Sequence, residues 1–580
     1  MVPTCRAKAL RFILPALAAG LCFGLPPTLR AAPAEELLRL VPPDPNFCLV
    51  VRDLRGHSAR LADSPFLAQL KTSFLGKGLL QAPEAARLAE LDKVLRAQLK
   101  VTLQEVRDDI LGDALVVAAW SPGRSAAERT LLLTKARNPE LLSRLAERVT
   151  ALQLEAGELE KVEAVKYEGL EYKRCTSRAG RVNFLLVHEG VLALSEDEPT
   201  LRWVVAALAR PPAVSPVAEH LRALGVDDAF LVLWINPRAF DAEMHAQAKS
   251  APEPEATALR HFLTYWKSTQ SLALALRLER DIELSVSLRA DVAGLPPAAR
   301  QFLARAAEPS AMWGRFPEKT ILALTSRFDL AALLDLVTGF LTEAERQRIH
   351  ADLAHSAQTL LGLDLRREVL PHLGPEWGFY VAAPPAGQGW FPHVVLAVEV
   401  QAKPERRPLN QALFEAIRLL VGIAAFSQKE AGLITLKTEQ QGDVEVVSLA
   451  SPKLFPPGLQ PAVALKSSCL VFASSPAAVR AFGAPRAAPP PAAAGVPLAR
   501  LSAREALAYL NDPARRQALV AALAANHGVA PAQVSAQLDN LTSVLGLFDE
   551  IELVQHTTAN RLTLKLHLRP VHPLQRPAAK

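Results

Sequence analysis

The chain lacks the short motifs that mark common catalytic, cofactor or metal sites. Its 13 histidines are scattered, and no HExxH, paired CxxC or calcium-loop pattern occurs. His350 and His355 are the nearest approach to a ligand pair, but their spacing puts them off one helix face. The Gly-x-Ser-x-Gly elbow and the glycine-rich phosphate loops are also missing. We therefore predict no catalytic, cofactor-binding or metal-binding residues and no cofactor.

Other polar and aromatic features have structural interpretations. Asp108 and Asp109 are adjacent on a predicted helix, so they point apart and are interpreted as solvated charges. Trp120 and Trp377 lie on or beside predicted strands, where core packing is the usual role. The polar residues of Arg52-Asp53 and Asn236-Pro237-Arg238 mark strand-to-helix junctions and are interpreted as backbone caps.

Cysteine is scarce, and no disulfide framework is predicted. Five cysteines occur in the chain, of which Cys48, Cys175 and Cys469 follow the N-terminal segment. They are far apart, which excludes a CxxC redox or metal pair. We interpret them as buried small side chains, although the sequence leaves open whether two of them pair.

An excess of positive charge is also missing once the N-terminal segment is set aside. Residues 1–34 carry four basic residues and no acid, which leaves 61 basic and 59 acidic residues, a net charge of +2. No blocks of Lys and Arg with interleaved aromatics occur. Nucleic-acid binding is therefore not expected.

The first 34 residues are typical of a secretory signal. A basic opening precedes an apolar run from Phe12 to Leu25, and Ala32-Pro33-Ala34 supplies the small residues of a cleavage site. The run is too short and too interrupted by Pro and Gly for a spanning helix of roughly 20 residues. We expect cleavage, an uncleaved anchor being the alternative, and a composition rich in Ala, Leu, Arg and Pro favours a bacterial periplasm or cell envelope.

No membrane span is predicted after the signal. The apolar segment with Leu413, Ile417, Leu420 and Ile423 has helical spacing but is interrupted by a glutamate and an arginine. It is predicted to be a buried amphipathic helix.

The rest of the chain is predicted to be a tandem duplication. Residues 102–122 and 364–385 share one plan, a capped short helix with Thr102 or Asp364 at its start, a glycine stop, and an apolar strand. The same order of strands and proline-started helices follows each copy. A strand, a polar break and a helix also recur from Phe47, Phe230, Thr320 and Pro497.

Each half is predicted to close with an antiparallel hairpin. Ile282, Leu284, Val286 and Leu288 alternate with polar residues, as do the leucines at 562, 564, 566 and 568, which indicates one buried and one wet face. The predicted fold is α+β, with two tandem, similar halves, each a mainly antiparallel sheet with helices on one face. The predicted boundaries are 1–34 for the signal peptide, 35–293 and 308–572 for the halves, and about 484–497 for a Pro/Ala-rich surface loop inside the second half.

The signal followed by repeated strand-helix lobes, opening with LLRLVPPDPNFCLVVRDLRGH, resembles secreted bacterial proteins that share a domain of unknown function. The resemblance covers most of the mature chain and brings no catalytic residues with it. We expect a non-enzymatic envelope protein that binds a protein partner or a small ligand between or on its halves. The alternatives are a secreted hydrolase with a dispersed active site and a carrier of an apolar ligand.

Overall fold

The computed structural model describes residues 32–120, 129–210, 214–401, 408–427, 434–484 and 495–574. The predicted signal peptide up to residue 31, the proline at 404 and residues 485–494 of the predicted loop lie outside these ranges. Ala34, from the predicted cleavage motif, is 2% exposed in a helix that starts at Pro33. Val496 and Pro497 belong to a strand, not to the loop predicted there.

The fold is α+β, as predicted. Helices make up 46% of the structure and strands 29%, and neighbouring strands pair antiparallel. Within the described residues the chain forms two compact units, one of residues 32–244, 269–290 and 569–574 and one of residues 245–268 and 291–568. The units differ from the predicted halves mainly at residues 245–268, which belong to the second unit.

The first unit contains a ten-stranded sheet in the order β4-β5-β6-β7-β3-β2-β1-β8-β9-β10. Its strands are β1 (Phe47–Arg52), β2 (Ala114–Trp120), β3 (Arg129–Lys135), β4 (Leu159–Tyr167), β5 (Leu170–Ser177), β6 (Val182–His188), β7 (Val191–Ser195), β8 (Leu231–Ile235), β9 (Thr269–Leu278) and β10 (Ile282–Ala290).

Helices of the first unit lie on both faces of this sheet. Their bounds are α1 (Pro33–Leu38), α2 (Leu54–Ala62), α3 (Pro65–Thr72), α4 (Phe74–Gln81), α5 (Pro83–Val94), α6 (Leu103–Glu105), α7 (Pro139–Glu155), α8 (Glu198–Ala209) and α9 (Pro216–Leu224), with π-helical turns at Leu95–Leu99 and Val106–Ile110 and a 3₁₀ turn at Pro237–Phe240. The main core lies beneath α1, α8 and α9, where Leu37, Val205 and Leu221 are fully buried against the sheet. A further helix, α10 (Asp241–Ser250), follows the 3₁₀ turn.

The second unit contains a sheet in the order β14-β15-β16-β17-β13-β12-β11-β18-β19-β20. Its strands are β11 (Leu322–Arg327), β12 (Leu373–Ala382), β13 (His393–Val400), β14 (Thr435–Gln441), β15 (Val444–Ala450), β16 (Ala462–Lys466), β17 (Cys469–Ala473), β18 (Val496–Ser502), β19 (Phe548–Thr557) and β20 (Arg561–Pro570). The strand order is the same as in the first unit: adding ten to each strand number of the first sheet gives the order of the second. The common origin of the two halves stays a prediction.

The helices of the second unit are α11 (Glu255–Ser268), α12 (Pro297–Ala306), α13 (Leu330–Thr338), α14 (Glu343–Leu361), α15 (Leu409–Ser427), α16 (Pro476–Ala481), α17 (Ala503–Leu510), α18 (Pro513–His527) and α19 (Pro531–Leu545). Shorter turns are the 3₁₀ segments Val292–Gly294, Ala311–Arg315 and Leu370–His372 and the π-helical segment Leu365–Val369. The core lies between the sheet and residues such as Phe316 and Phe482. Within the described residues, no helix has the length and apolar composition needed to cross a bilayer.

Local sequence signals predicted several of these elements. The Thr102 hydroxyl accepts a hydrogen bond from Glu105 N, and Asp364 accepts from Arg366 N and Arg367 N, as caps do. The two terminal hairpins are present, β9 pairing with β10 and β19 with β20. These features depend on residues close in sequence, which is why pattern analysis finds them.

Candidate functional site

The most distinctive surface of the first unit is an aliphatic row that crosses its sheet. Eight residues on eight consecutive strands, from β6 to β10 in sheet order, are cross-strand partners on one face. In order they are Leu185, Leu194, Leu132, Val117, Leu49, Leu233, Leu274 and Val286. We call these eight residues the apolar strip; adjacent strands are about 4.8 Å apart, so the strip is about 34 Å long.

The strip is open to solvent, whereas the other face of the same strands is closed. None of its eight residues is buried, and Leu194, Leu274 and Val286 are 40%, 41% and 43% exposed. Their neighbours along the strands, such as Val116 and Val232, are fully buried in the main core. Side chains alternate between the two faces of a strand, so the open row is a property of the face and not of one irregular residue.

A ledge of packed side chains borders one long side of the strip. Leu54 and Phe230 pack against Val51 and Leu115, which belong to the next row of the same face. Further along, helix α7 covers that row beside β6 and β7, where Leu142 is 2% exposed. The strip is therefore a shallow groove with a wall on one side.

The other long side is marked by aromatic side chains. Phe47 follows the strip along β1 and is 37% exposed, and its ring lies 5.4 Å from that of Phe240 in the 3₁₀ turn. Ile235 and Leu272 continue this apolar border across β8 and β9. At β1, β8 and β9 the strip and its border are therefore apolar.

A lysine extends the row at the β5 end. Lys173 is the cross-strand partner of Leu185 and is half-buried, and its ammonium group forms no ion pair with any residue in the described ranges. The next pair along the same face is Lys166 opposite Glu171. This end of the strip thus carries two cations and one anion, while the β10 end is aliphatic.

The prediction for the closing strand of the first half was wrong in one respect. Leu284 and Val286 are each 43% exposed, while Ser285 and Ser287 are 4% and 0% exposed. Pattern analysis gave the two faces but assigned the apolar one to the core. The small serines and Ala273 lie instead beneath helix α9, which contacts β9 and β10.

The corresponding face of the second unit is partly covered by helix α15. Leu409, Leu413 and Phe414 pack against Val447 and Val463 of the sheet, in the same cross-strand row as Phe472 and Leu396. The last two residues stay 38% and 39% exposed.

The prediction that this helix is buried was correct for only one side of it. Ile417 packs on the core, but Leu420 and Ile423 are 42% and 56% exposed, and Phe426 is 73% exposed. Nothing among the described residues covers this outer side.

The second unit also contains a polar cavity of about 430 Å³. Its lining includes the buried ring of His393, the exposed side chains of Arg480 and Glu439, and the loop glycines Gly389 and Gly458. Burial, and secondarily the charge of Arg480, lowers the pKa of His393, so the imidazole is neutral at pH 7. Ser475 also lines this cavity, but its hydroxyl accepts a hydrogen bond from Ala478 N and caps helix α16, and no hydrogen bond joins it to His393.

A serine beside a carboxylate does occur elsewhere in the second unit. Ser310 Oγ donates to the Glu376 carboxylate, and Thr325 Oγ1 donates to Ser310 Oγ over 2.7 Å. Arg327 pairs with the same carboxylate at 3.0 Å, and Ser310 Oγ also accepts from Met312 N. Ser310 and Glu376 are 6% and 8% exposed, so this network is a buried cap and ion pair without room for a substrate.

The polar residues at the strand-to-helix junctions make local contacts with the backbone and with neighbouring side chains. Asn236 Oδ1 accepts from Arg238 N at 3.1 Å and caps the 3₁₀ turn, as predicted. Asp53 has a left-handed backbone just before α2, and its carboxylate lies against Gly56 in the first turn of that helix. Its carboxylate lies 3.5 Å from Arg60 and 3.9 Å from His57. Burial against Phe230 lowers the pKa of His57 to about 4.

The aspartates, tryptophans and cysteines named in the sequence analysis also have contacts or burial that explain their positions. Asp108 pairs with Arg107 at 2.7 Å, and Trp120 Nε1 donates to the Pro43 carbonyl.

Trp377 is half-buried beside Phe328, 5.8 Å between ring centres. Cys48, Cys175 and Cys469 are each buried and unpaired. No cluster of three potential metal ligands occurs within the described residues.

Sequence analysis missed the apolar strip. The signal was present in β9 from Leu272 and in β10 from Ile282, where leucine, isoleucine or valine stands at every second position and several of the intervening residues are Ala or Ser. Large aliphatic residues at alternate positions are typical of a core face, which is why the pattern predicts burial here. Only the register across strands shows that the large residues form one continuous open surface.

Comparison with known proteins gives a family but no relative with a described activity. No curated protein and no solved structure matches the chain. The family model described as a protein of unknown function (DUF3352) matches residues 104–413, which is more than half of the 580 residues and includes strands of both sheets. The chain belongs to this family, DUF3352.

Proposed function

We propose that the protein is a non-enzymatic, extracytoplasmic binding protein whose apolar strip takes an apolar ligand. The observation that carries the proposal is the row of eight aliphatic side chains, none of them buried, on one face of the first unit's sheet. Soluble proteins rarely leave contiguous apolar surfaces larger than a few hundred Å² without a use for them. Burying the strip under a ligand contributes a favourable free energy of about 25 cal/mol for each Å² of apolar surface removed from water.

The location outside the cytoplasm rests on the N-terminal sequence. Residues 1–34 have the basic, apolar and small-residue regions of a signal peptide. N-terminal sequencing of protein purified from the periplasm of a bacterial host tests it, with Glu35 as the expected first residue. Retention of residues 1–34 on membrane-bound protein would support the anchor alternative, and recovery of full-length protein in the cytoplasm would contradict the proposed location.

Binding at the strip is tested with N-phenyl-1-naphthylamine, a neutral dye that fluoresces in apolar surroundings. We expect saturable fluorescence with the mature chain and its loss in the double variant Leu194→Glu/Leu274→Glu, which places one charge on the second strand from each end of the strip. Leu436→Glu on β14 is the matched control, because Leu436 is 40% exposed and Leu274 is 41% exposed. Circular dichroism checks that both variants fold; equal dye binding by the folded double variant and wild type would exclude the strip as the site.

A further inference from the structure

We infer that the strip binds one extended acyl chain of an anionic amphiphile, with the head group at Lys173. This inference rests on the proposed function, because it names the ligand class of the same surface. It adds two statements, that the ligand is a single chain and that its charged end is negative.

The shape of the strip favours a thin ligand. A ledge formed by Leu54, Phe230 and α7 borders one long side of the strip, and the rings of Phe47 and Phe240 lie along the other side. A flat protein face would have to clear this ledge, whereas a chain of methylene groups fits lengthwise beside it. Each buried methylene contributes about 0.8 kcal/mol, so a chain of ten or more carbons supplies the driving force without polar contacts.

The composition of the strip favours a saturated or simple hydrocarbon chain. All eight residues are leucine or valine, so they offer no hydrogen-bond donor or acceptor and no aromatic ring. A ligand with polar groups along its length would lose its water contacts there without replacement. A plain acyl chain meets this requirement.

The charge at the two ends favours an anionic head. Lys173 continues the row beyond Leu185, has no ion-pair partner among the described residues, and is followed along the face by Lys166 opposite Glu171. On β10 the side chains of this face are aliphatic, such as those of Leu284 and Leu288. An amphiphile therefore has one preferred direction, with its carboxylate or phosphate at β5.

The test is isothermal titration calorimetry of the mature chain with dodecanoate and with dodecyltrimethylammonium, both below their micellar concentrations. The two probes have chains of the same length and opposite charge. We expect one dodecanoate per chain and weaker binding of the cation. Lys173→Gln is expected to weaken dodecanoate binding roughly fivefold, as loss of a solvent-accessible ion pair does, and to remove the preference over the cation.

Lys161→Gln is the control for charge at this sheet edge, because Lys161 on β4 lies on the opposite face and is 63% exposed. It is expected to leave both affinities unchanged. Leu194→Ser, near the head-group end, is expected to weaken both probes equally. This variant is milder than the glutamate substitutions and keeps the test valid where the double variant does not fold.

The outcomes separate the inference from the proposed function. Equal binding of the two probes, unaffected by Lys173→Gln but lost in Leu194→Ser, would overturn the anionic head group and leave the apolar site standing. Binding of neither probe together with no dye binding would contradict both. A wild-type dimer in analytical ultracentrifugation that Leu274→Glu converts to a monomer would show that a second copy of the chain covers the strip, which overturns the acyl-chain inference.

Discussion

Ser285 and Val286 are neighbours on β10, and it is the serine that is buried. Ser285 is 4% exposed and faces the helix-covered core, while Val286 is 43% exposed and ends the apolar strip. The Ser285 hydroxyl has no hydrogen-bond partner among the described residues, so its burial stabilises nothing by itself. Small side chains at this position let helix α9 contact the sheet, and the large aliphatic side chains are left on the open face.

The first prediction concerns the strip and stability. Val286→Ser is expected to change the free energy of unfolding by no more than about 1 kcal/mol, because the valine is already 43% exposed. Val232→Ser removes a fully buried side chain and is expected to cost at least about 2 kcal/mol. Urea unfolding of both variants measures the difference. Equal, large losses would mean that the strip is part of the folding core and not an open surface.

The second prediction concerns pH. Burial lowers the pKa of His57 to about 4, below the ordinary value of 6.5, so folding favours the neutral ring. The neutral His57 ring therefore makes its full contribution to the free energy of unfolding above pH 6.5. This contribution, on the order of 2 kcal/mol, is lost as the pH falls from 6.5 towards 4. His57→Phe, which keeps a ring against Phe230, is expected to flatten the pH dependence of the unfolding free energy in this range.

The control for the pH experiment is His355→Gln, since His355 is exposed on α14. Its pH profile is expected to follow that of wild type. A His57→Phe profile that also follows wild type would show that the ring is protonated as readily in the folded as in the unfolded chain.

The third prediction compares two glycines. A Cβ at Gly378 would lie 2.6 Å from the Phe316 ring, which is 2% exposed, so Gly378→Ala is expected to destabilise by about 1–3 kcal/mol. A Cβ at Gly422, in helix α15, would meet nothing within 4 Å. Gly422→Ala is expected to stabilise by about 0.5–1 kcal/mol through helix propensity. Thermal unfolding measures both; a stabilising Gly378→Ala would contradict the packing of Phe316 on β12.

The fourth prediction concerns the buried serine network. Ser310→Ala leaves the Thr325 hydroxyl, Met312 N and the Glu376 carboxylate each without one partner, and is expected to cost about 1–2 kcal/mol. Ser356→Ala on the exposed side of α14 is the control and is expected to change stability by less than about 0.5 kcal/mol. Full stability of Ser310→Ala would remove the structural explanation of this serine and return it to consideration as a nucleophile.

Much of the local structure could be predicted from the sequence because its causes are local. Thr102 and Asp364 cap their helices through atoms two or three residues away, and proline starts α7 at Pro139, where its missing N–H costs nothing. The hairpin of β9 and β10 follows from two alternating runs and a short turn.

The candidate site could not be predicted in the same way. Leu185 and Val286, the two ends of the strip, are 101 residues apart, and they lie in one row only because of a strand order that no local pattern contains. The same holds for helix α15, whose two apolar sides look alike in the sequence although only one meets the sheet.

The sequence by itself determined several of the strands and helices, where the capped helices begin, and that the fold is α+β, because these depend on backbone propensity, capping and the period of the side chains. The tertiary structure alone decided which face of each strand is covered. The alternating side chains give β10 an apolar and a polar face, but which face is buried depends on the elements that pack against it. In this protein α9 packs on the serines, and the leucines and valines are left to form the surface on which the proposed function depends.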